Sequence, residues 1–306
     1  MKKSIIRMLI VTLALGGLIL FGCQKKEEEK PAEKAAPSAE KTMAPKEKGK
    51  VELAYVEWAS EVASTNVVRA VLQEKMGYEV ELTPVSAAAM WTAVGTGDVD
   101  GMVAGWLPTT HGHYLERVKD QVESLGPNLE GTRIGLVVPA YVTIASIPEL
   151  KDNAEKFDSK IIGIDPGAGI MSKTEKAIDE YGLENFSLVE GSGATMTAAL
   201  SDAIRHDQWI VVTGWTPHWM FAKWDLKYLE DPKDVFGGEE HINTIVRKGL
   251  KEDMPEVYQF LDNFHWTPED MQQVMVWNQE KEASPYENAK KWIEENPDKV
   301  QAWLPK

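Results

Sequence analysis

Two stretches of this chain repeat the same order of patterns, and that repetition limits its fold more than any other feature. In the first, Val51–Val56 has strand character and ends at Glu57-Trp58. A helical pattern follows over 64–75, a strand over 78–82, a helix over 87–94, and a strand over 99–104 that runs into Gly105-Trp106-Leu107-Pro108. In the second, a strand over 160–164 ends at Asp165-Pro166-Gly167. A helix over 170–181, a strand over 186–189, a helix over 195–204 and a strand over 208–212 follow, running into Gly214-Trp215-Thr216-Pro217. The match reaches single residues. Ser86-Ala87-Ala88-Ala89-Met90-Trp91 lines up with Ser192-Gly193-Ala194-Thr195-Met196-Thr197, and Val103-Ala104-Gly105-Trp106 with Val212-Thr213-Gly214-Trp215. Alternating strands and helices predict a mainly parallel sheet covered by helices. Two such units predict two α/β lobes. The apolar runs Gly135–Pro139 and Thr244–Arg247 sit at the joins and read as crossover strands. That divides the folded part into one lobe of 51–138 and 246–306 and a second lobe of 139–245. The stretch from about 250 onward reads as helical and is expected to pack back on the first lobe.

Ahead of the repeat lies a segment of another kind. Lys2, Lys3 and Arg7 precede an apolar run from Met8 to Phe21. That run is too short to span a bilayer comfortably and has the length of a signal-peptide core. It ends in Leu20-Phe21-Gly22-Cys23, and Cys23 is the only cysteine of the chain. The pattern resembles a bacterial lipobox, which implies that 1–22 is a signal peptide removed on export and that Cys23 is lipidated. The protein is then held at the outer face of the cytoplasmic membrane. Residues 23–50 are nearly all Lys, Glu, Ala and Pro after the cysteine. Such a composition cannot bury enough apolar surface to fold, so it reads as a tether. A single cysteine leaves nothing for a disulfide framework.

Charge bounds the partners. Residues 1–50 hold 11 basic and 6 acidic side chains; taken from totals of 33 and 48, this leaves 22 and 42 for the rest, near −20. A surface that negative repels nucleic acid and anionic lipid. It is compatible with a cationic or zwitterionic ligand without requiring one.

In open α/β sheets ligands sit beyond the carboxyl ends of the strands. Those ends carry Trp58, Trp106, Asp165-Pro166-Gly167 and Trp215. If the lobes face each other, these residues converge on one cleft. Gly105-Trp106 and Gly214-Trp215 are each followed by a proline two residues after the tryptophan, which suggests exposed bends. Indole faces attract cations, by about 0.5–1 kcal/mol each when exposed and roughly 2 when desolvated. A methylated ammonium has no N–H to donate, so aromatic faces suit it better than carboxylates do. The other eight of the eleven tryptophans have no such placement and read as packing. Gly167-Ala168-Gly169-Ile170 stands between a strand and a helix. A glycine-rich helix entry exposes backbone N–H groups and the positive end of the helix dipole, which suits a carboxylate. It is not a Walker loop, since no Gly-Lys-Ser/Thr follows. His111 lies five residues after Trp106 and could donate to the same carboxylate. His111-Gly112-His113 lacks the further ligands a metal site needs. No Gly-x-Ser-x-Gly elbow and no His-Glu-x-x-His helix is present, and Gly191-Ser192-Gly193 reads as a helix entry.

Four motifs in order then carry a resemblance covering 51–306. They are Tyr55-Val56-Glu57-Trp58 with Ala63-Ser64-Thr65-Asn66; Ala104-Gly105-Trp106-Leu107-Pro108 with His111; Gly163-Ile164-Asp165-Pro166-Gly167-Ala168-Gly169-Ile170-Met171; and Thr213-Gly214-Trp215-Thr216-Pro217-His218-Trp219-Met220-Phe221. Together they resemble the glycine betaine-binding proteins of osmoprotectant ABC importers. The resemblance implies a two-lobed periplasmic-binding-protein fold of type II with the ligand cleft between the lobes. It implies that Trp58, Trp106 and Trp215 form a prism around a trimethylammonium group. It implies that the backbone N–H groups of Gly169 and Ile170 and the His111 ring hold a carboxylate. The implied partners are an ABC permease and its ATPase, with no cofactor and no catalysis. Proline betaine, choline or carnitine are alternative ligands for the same fold. A surface-anchored hydrolase is the alternative of another class, and it would need a nucleophile or a carboxylate pair in the cleft.

Overall fold

The computed structural model describes residues 48–306. The signal segment, Cys23 and nearly all of the tether lie outside the described residues. The first half of the repeat forms β1 (Lys50–Tyr55), α1 (Ala59–Glu74), β2 (Glu79–Pro84), α2 (Ala87–Thr96) and β3 (Gly101–Leu107), followed by α3 (Gly112–Val118). An 18-residue strand, β4 (Val122–Pro139), and a 3-10 helix (Ile147–Phe157) lead into the second half. That half forms β5 (Lys160–Ile162), α4 (Gly169–Tyr181), β6 (Ser187–Val189), α5 (Gly193–Arg205) and β7 (Val212–Thr216). The chain continues through α6 (Met220–Lys223), β8 (Leu226–Tyr228) and β9 (Glu240–Arg247). It ends in five helices: α7 (Leu250–Asp253), α8 (Pro255–Asn263), α9 (Pro268–Trp277), α10 (Pro285–Glu295) and α11 (Pro297–Trp303).

The repeat holds at the level of local structure. Ser86 and Ser192, aligned by sequence, are the N-caps of α2 and α5. At α5 the Ser192 hydroxyl accepts from the Thr195 N–H, and the Thr195 side chain reaches back to the Ser192 N–H. Such caps satisfy amide groups that a helix start leaves without partners. Gly191-Ser192-Gly193 is therefore a helix entry, as its sequence suggests.

The strands run in the order β2-β1-β3-β9-β4-β7-β5-β6, with β8 beside β4. Parallel pairs form at both ends, β2-β1-β3 and β7-β5-β6. The centre departs from the expected mainly parallel sheet. There β3 meets β9, β9 meets β4, and β4 meets β7 and β8, all antiparallel. The reason is length: β4 is long enough to serve two sheets in succession. Its first part, to Thr132, pairs with β9, and its second part, from Arg133, pairs with β7. By these pairings the change of sheet lies between Thr132 and Arg133, and β9 stays with the first sheet along its whole length.

Two further expectations shift. The last strand of the repeat is 212–216 rather than 208–212, so Trp215 lies inside β7 and Trp106 inside β3. Neither tryptophan stands on an exposed bend: both are buried, and so is Trp58 at the N-cap of α1. The carboxyl-terminal helices pack on the first sheet's layer through α1, which α9 and α10 cover. Their core is aromatic. Trp292 stacks on Trp303 with centroids 5.6 Å apart and planes 6° from parallel, and Trp266 and Phe264 meet this pair edge-on.

Candidate functional site

Where the two sheets face each other, the strand ends border a small, partly open cavity. Its wall includes Trp58, Trp106, His111, Gly169, Ile170 and Trp215, the six residues singled out from sequence. Ser60, Thr110, Ile134, Ile164 and Ala168 complete it. Trp106 comes from β3, opposite Ile242 of β9, and Trp215 from β7, opposite Ile134 of β4. Trp58 enters from the start of α1. Three indoles thus reach one space from three elements and from both sheets.

Each ring is held by its N–H. Trp58 Nε1 donates to Asp165 Oδ2 at 2.6 Å, across the cleft. Trp106 Nε1 donates to Glu61 Oε1 at 2.6 Å. Trp215 Nε1 donates to Ser60 Oγ at 3.2 Å, and Ser60 donates in turn to Glu61 Oε2 at 2.5 Å. Trp58–Asp165 and Trp215–Ser60 join the two halves of the molecule, as does the Tyr114 hydroxyl, which donates to the Gly167 carbonyl at 2.9 Å. His218 packs edge-on against Trp215, centroids 4.6 Å apart, and fixes the tilt of that ring. Its Nδ1 accepts from the Met220 N–H, and burial holds its pKa down to about 3.

Three further residues of the wall carry potential donors. Gly169 and Ile170 open α4, so their amides belong to the first turn and have no intrahelical acceptor. His111 is fully buried. Its Nδ1 accepts from the Trp106 backbone N–H at 3.2 Å, which assigns the ring proton to Nε2. Nε2 is buried without any partner in the protein. Burial, with a smaller push from His113 and a partial offset from the Ala104 carbonyl, lowers the His111 pKa to about 3, so the ring is neutral. A neutral ring on the cavity wall with a buried, unpartnered N–H is a donor without an acceptor.

The wall holding these donors is braced from the crossover. Glu240, first residue of β9, accepts the N–H groups of Thr109 at 2.5 Å and Thr110 at 2.7 Å, and also takes the Thr110 hydroxyl. Gly169 approaches that loop so closely that a Cβ there would lie 2.3 Å from the Thr110 carbonyl oxygen.

Sequence reasoning missed Glu61, Ser60, Thr110 and the apolar walls Ile134 and Ile164. The available signal was Glu61 itself, a carboxylate three residues after Trp58 in a helix start otherwise rich in small residues. That position reads as ordinary helix-start chemistry, which is why it passed unremarked. His113 is exposed and sits outside the cavity. Among the described residues no group of three or more His, Cys, Asp or Glu is placed to hold a metal ion, and no helix is long and apolar enough to cross a membrane.

Two α/β lobes closing on an aromatic, donor-lined cleft define an extracytoplasmic solute-binding protein of the periplasmic-binding type. Residues 49–295 match the family described as the substrate binding domain of ABC-type glycine betaine transport systems, and the chain belongs to that family. It is 54% identical over 163 residues to the glycine betaine/carnitine transport binding protein GbuC of Listeria monocytogenes serotype 1/2a (strain 10403S). That match covers 53% of this chain and spans about half, 54%, of the relative's length. Among solved structures, lactococcal OpuAC in its closed-liganded conformation complexed with glycine betaine is 46% identical with a TM-score of 0.80, over 84% of this chain and 100% of that one. The glycine/betaine/L-proline-binding protein ProX from Borrelia burgdorferi is 41% identical with a TM-score of 0.81, over 84% and 97%.

Proposed function

We propose that this protein captures glycine betaine, or a close trimethylammonium carboxylate, outside the cytoplasm and hands it unchanged to an ABC permease driven by its ATPase. The observation that carries this reading is that three indoles and three residues with potential donors border one cavity. The indoles are Trp58, Trp106 and Trp215, and the donors are the Gly169 and Ile170 amides with the orphaned His111 Nε2–H. A methylated cation joined to a carboxylate has the two ends that such a wall complements. Three desolvated indole faces would contribute several kcal/mol, at roughly 2 kcal/mol each. The donors supply charge-assisted hydrogen bonds of about 1.5–3 kcal/mol each. The two hydrogen bonds from cage indoles across the cleft mean that closing the lobes also assembles the cage.

The family membership and the names of the relatives support the same ligand class, carnitine included. No turnover is required, and we assign none. Lipidation of Cys23, with residues 23–50 as the tether, would hold the binding domain at the outer face of the cytoplasmic membrane, where a permease can receive the ligand.

Calorimetric titration with glycine betaine, proline betaine, carnitine and choline tests the reading. The carboxylate-bearing ligands should bind, and choline should bind more weakly because it leaves the donors unfilled. Choline binding tightest, or no binding by any of the four, would overturn it.

A further inference from the structure

Behind the indoles lies a charged layer that does not touch the cavity. Glu61, in the first turn of α1, is 1% exposed and is not part of the cavity wall. One of its oxygens receives the Trp106 N–H, and the other is linked through Ser60 to the Trp215 N–H. One carboxylate therefore closes the hydrogen-bond chains of two indoles that come from different sheets. The third indole donates to Asp165. Among the described residues, neither Glu61 nor Asp165 forms an ion pair.

A buried carboxylate without a cation is costly unless a positive charge arrives from elsewhere. Burial pushes the Glu61 carboxyl up to about 7, against the opposing pull of its bonds to Ser60 and Trp106. An indole that donates its N–H to a carboxylate carries more negative charge on its face, which strengthens its hold on a cation. A quaternary ammonium cannot hydrogen-bond to a carboxylate, but it can feel one through the ring.

We infer that Glu61 is a specificity-determining residue, the buried counter-charge that makes the cage choose a cationic head group over a neutral one of the same shape. This rests on the betaine reading above. A purely positional role is the competing account, in which Glu61 only props the rings.

The two separate on a neutral isostere. In tert-butylacetate a carbon replaces the nitrogen of glycine betaine, and the shape and carboxylate are kept. The variant is Glu61→Gln, whose amide can still accept from Trp106 and donate to Ser60. Both ligands are titrated calorimetrically against wild type and E61Q. The expected result is that glycine betaine weakens roughly 10- to 100-fold, as loss of one charge at this range in a partly screened interior implies. Binding of tert-butylacetate should stay within about threefold, so the wild-type preference collapses. Equal loss for both ligands would assign Glu61 to positioning alone, and no loss for either would remove it from recognition; both overturn the inference. If E61Q does not fold, Glu61→Asp keeps the charge and shortens the reach. Both ligands must then weaken together with their ratio preserved, and a collapsed ratio overturns the inference. Wild type failing to bind glycine betaine at all overturns the functional reading and this inference together; a failure confined to the variants leaves the functional reading standing.

Discussion

Gly169→Ala should weaken ligand binding while leaving the unliganded protein as stable as before or slightly more so. The added methyl would lie 2.3 Å from the Thr110 carbonyl oxygen, 2.7 Å from Thr110 Cγ2 and 3.0 Å from the Thr110 carbonyl carbon. Two of these atoms are backbone, held in place by Glu240, so they cannot swing aside. Overpacking of this kind costs about 1–3 kcal/mol. Gly169 and Thr110 belong to opposite sides of the cleft, so the clash would oppose the closed approach of the two sides that ligand binding requires. The affinity should fall by roughly 5- to 150-fold. Position 169 has no positive φ and opens a helix, where alanine for glycine stabilises by about 0.4–1 kcal/mol. Calorimetry and thermal melts with and without ligand should therefore move in opposite senses. Gly193→Ala is the control: its nearest neighbour would be Trp215 Cη2 at an ordinary 3.9 Å. Wild-type affinity in G169A would refute the close approach. A lowered melting temperature without ligand would show that the strain lies within one folded body rather than between two.

Further expectations concern single side chains and pH. Trp215→Ala should weaken glycine betaine binding by about 2 kcal/mol, some thirtyfold, in the fraction that folds. Trp292→Ala, in the stacked aromatic core, should lower stability by about 3–5 kcal/mol and leave affinity unchanged in the folded fraction; equal effects of the two on binding would contradict the cage. His111→Ala should cost carboxylate ligands about 1.5–3 kcal/mol and choline much less, which paired titrations would show. The Glu61 carboxyl, raised from 4.5 to about 7 chiefly by burial, binds its proton more tightly folded than unfolded. Its contribution to stability is thus full below about pH 4.5 and is lost as pH rises through about 7, by about 3 kcal/mol in all. A cation in the cage favours the ionised form, so glycine betaine affinity should rise over the same window. Asp165 lies near enough for its charge to act on Glu61, and His111, held neutral down to about 3, does not titrate there. Melts and titrations across this range should show both trends in wild type and neither in E61Q.

Much of this architecture could be read from the chain because the repeat carries it. Gly-Trp-x-Pro at two strand ends, Ser86 and Ser192 at two helix starts, and the glycine-rich entry to α4 are local patterns, and local chemistry fixes them. What stayed hidden depends on pairings between distant residues. That β4 would serve two sheets could not be seen in an apolar run, since the run is equally apolar whichever strand it meets. The tryptophans were expected at exposed bends because proline follows each, yet the strands continue through them and the facing lobe covers them. Glu61 was overlooked for a similar reason. Its meaning comes from Trp106, 45 residues away, and from Ser60, which carries Trp215 from the other side.

The crossover at Thr132–Arg133 has one further consequence. One strand, β4, is shared by both sheets, so any change in the angle between the two bodies must pass through its backbone near Thr132–Arg133 and through the return segment between β8 and β9.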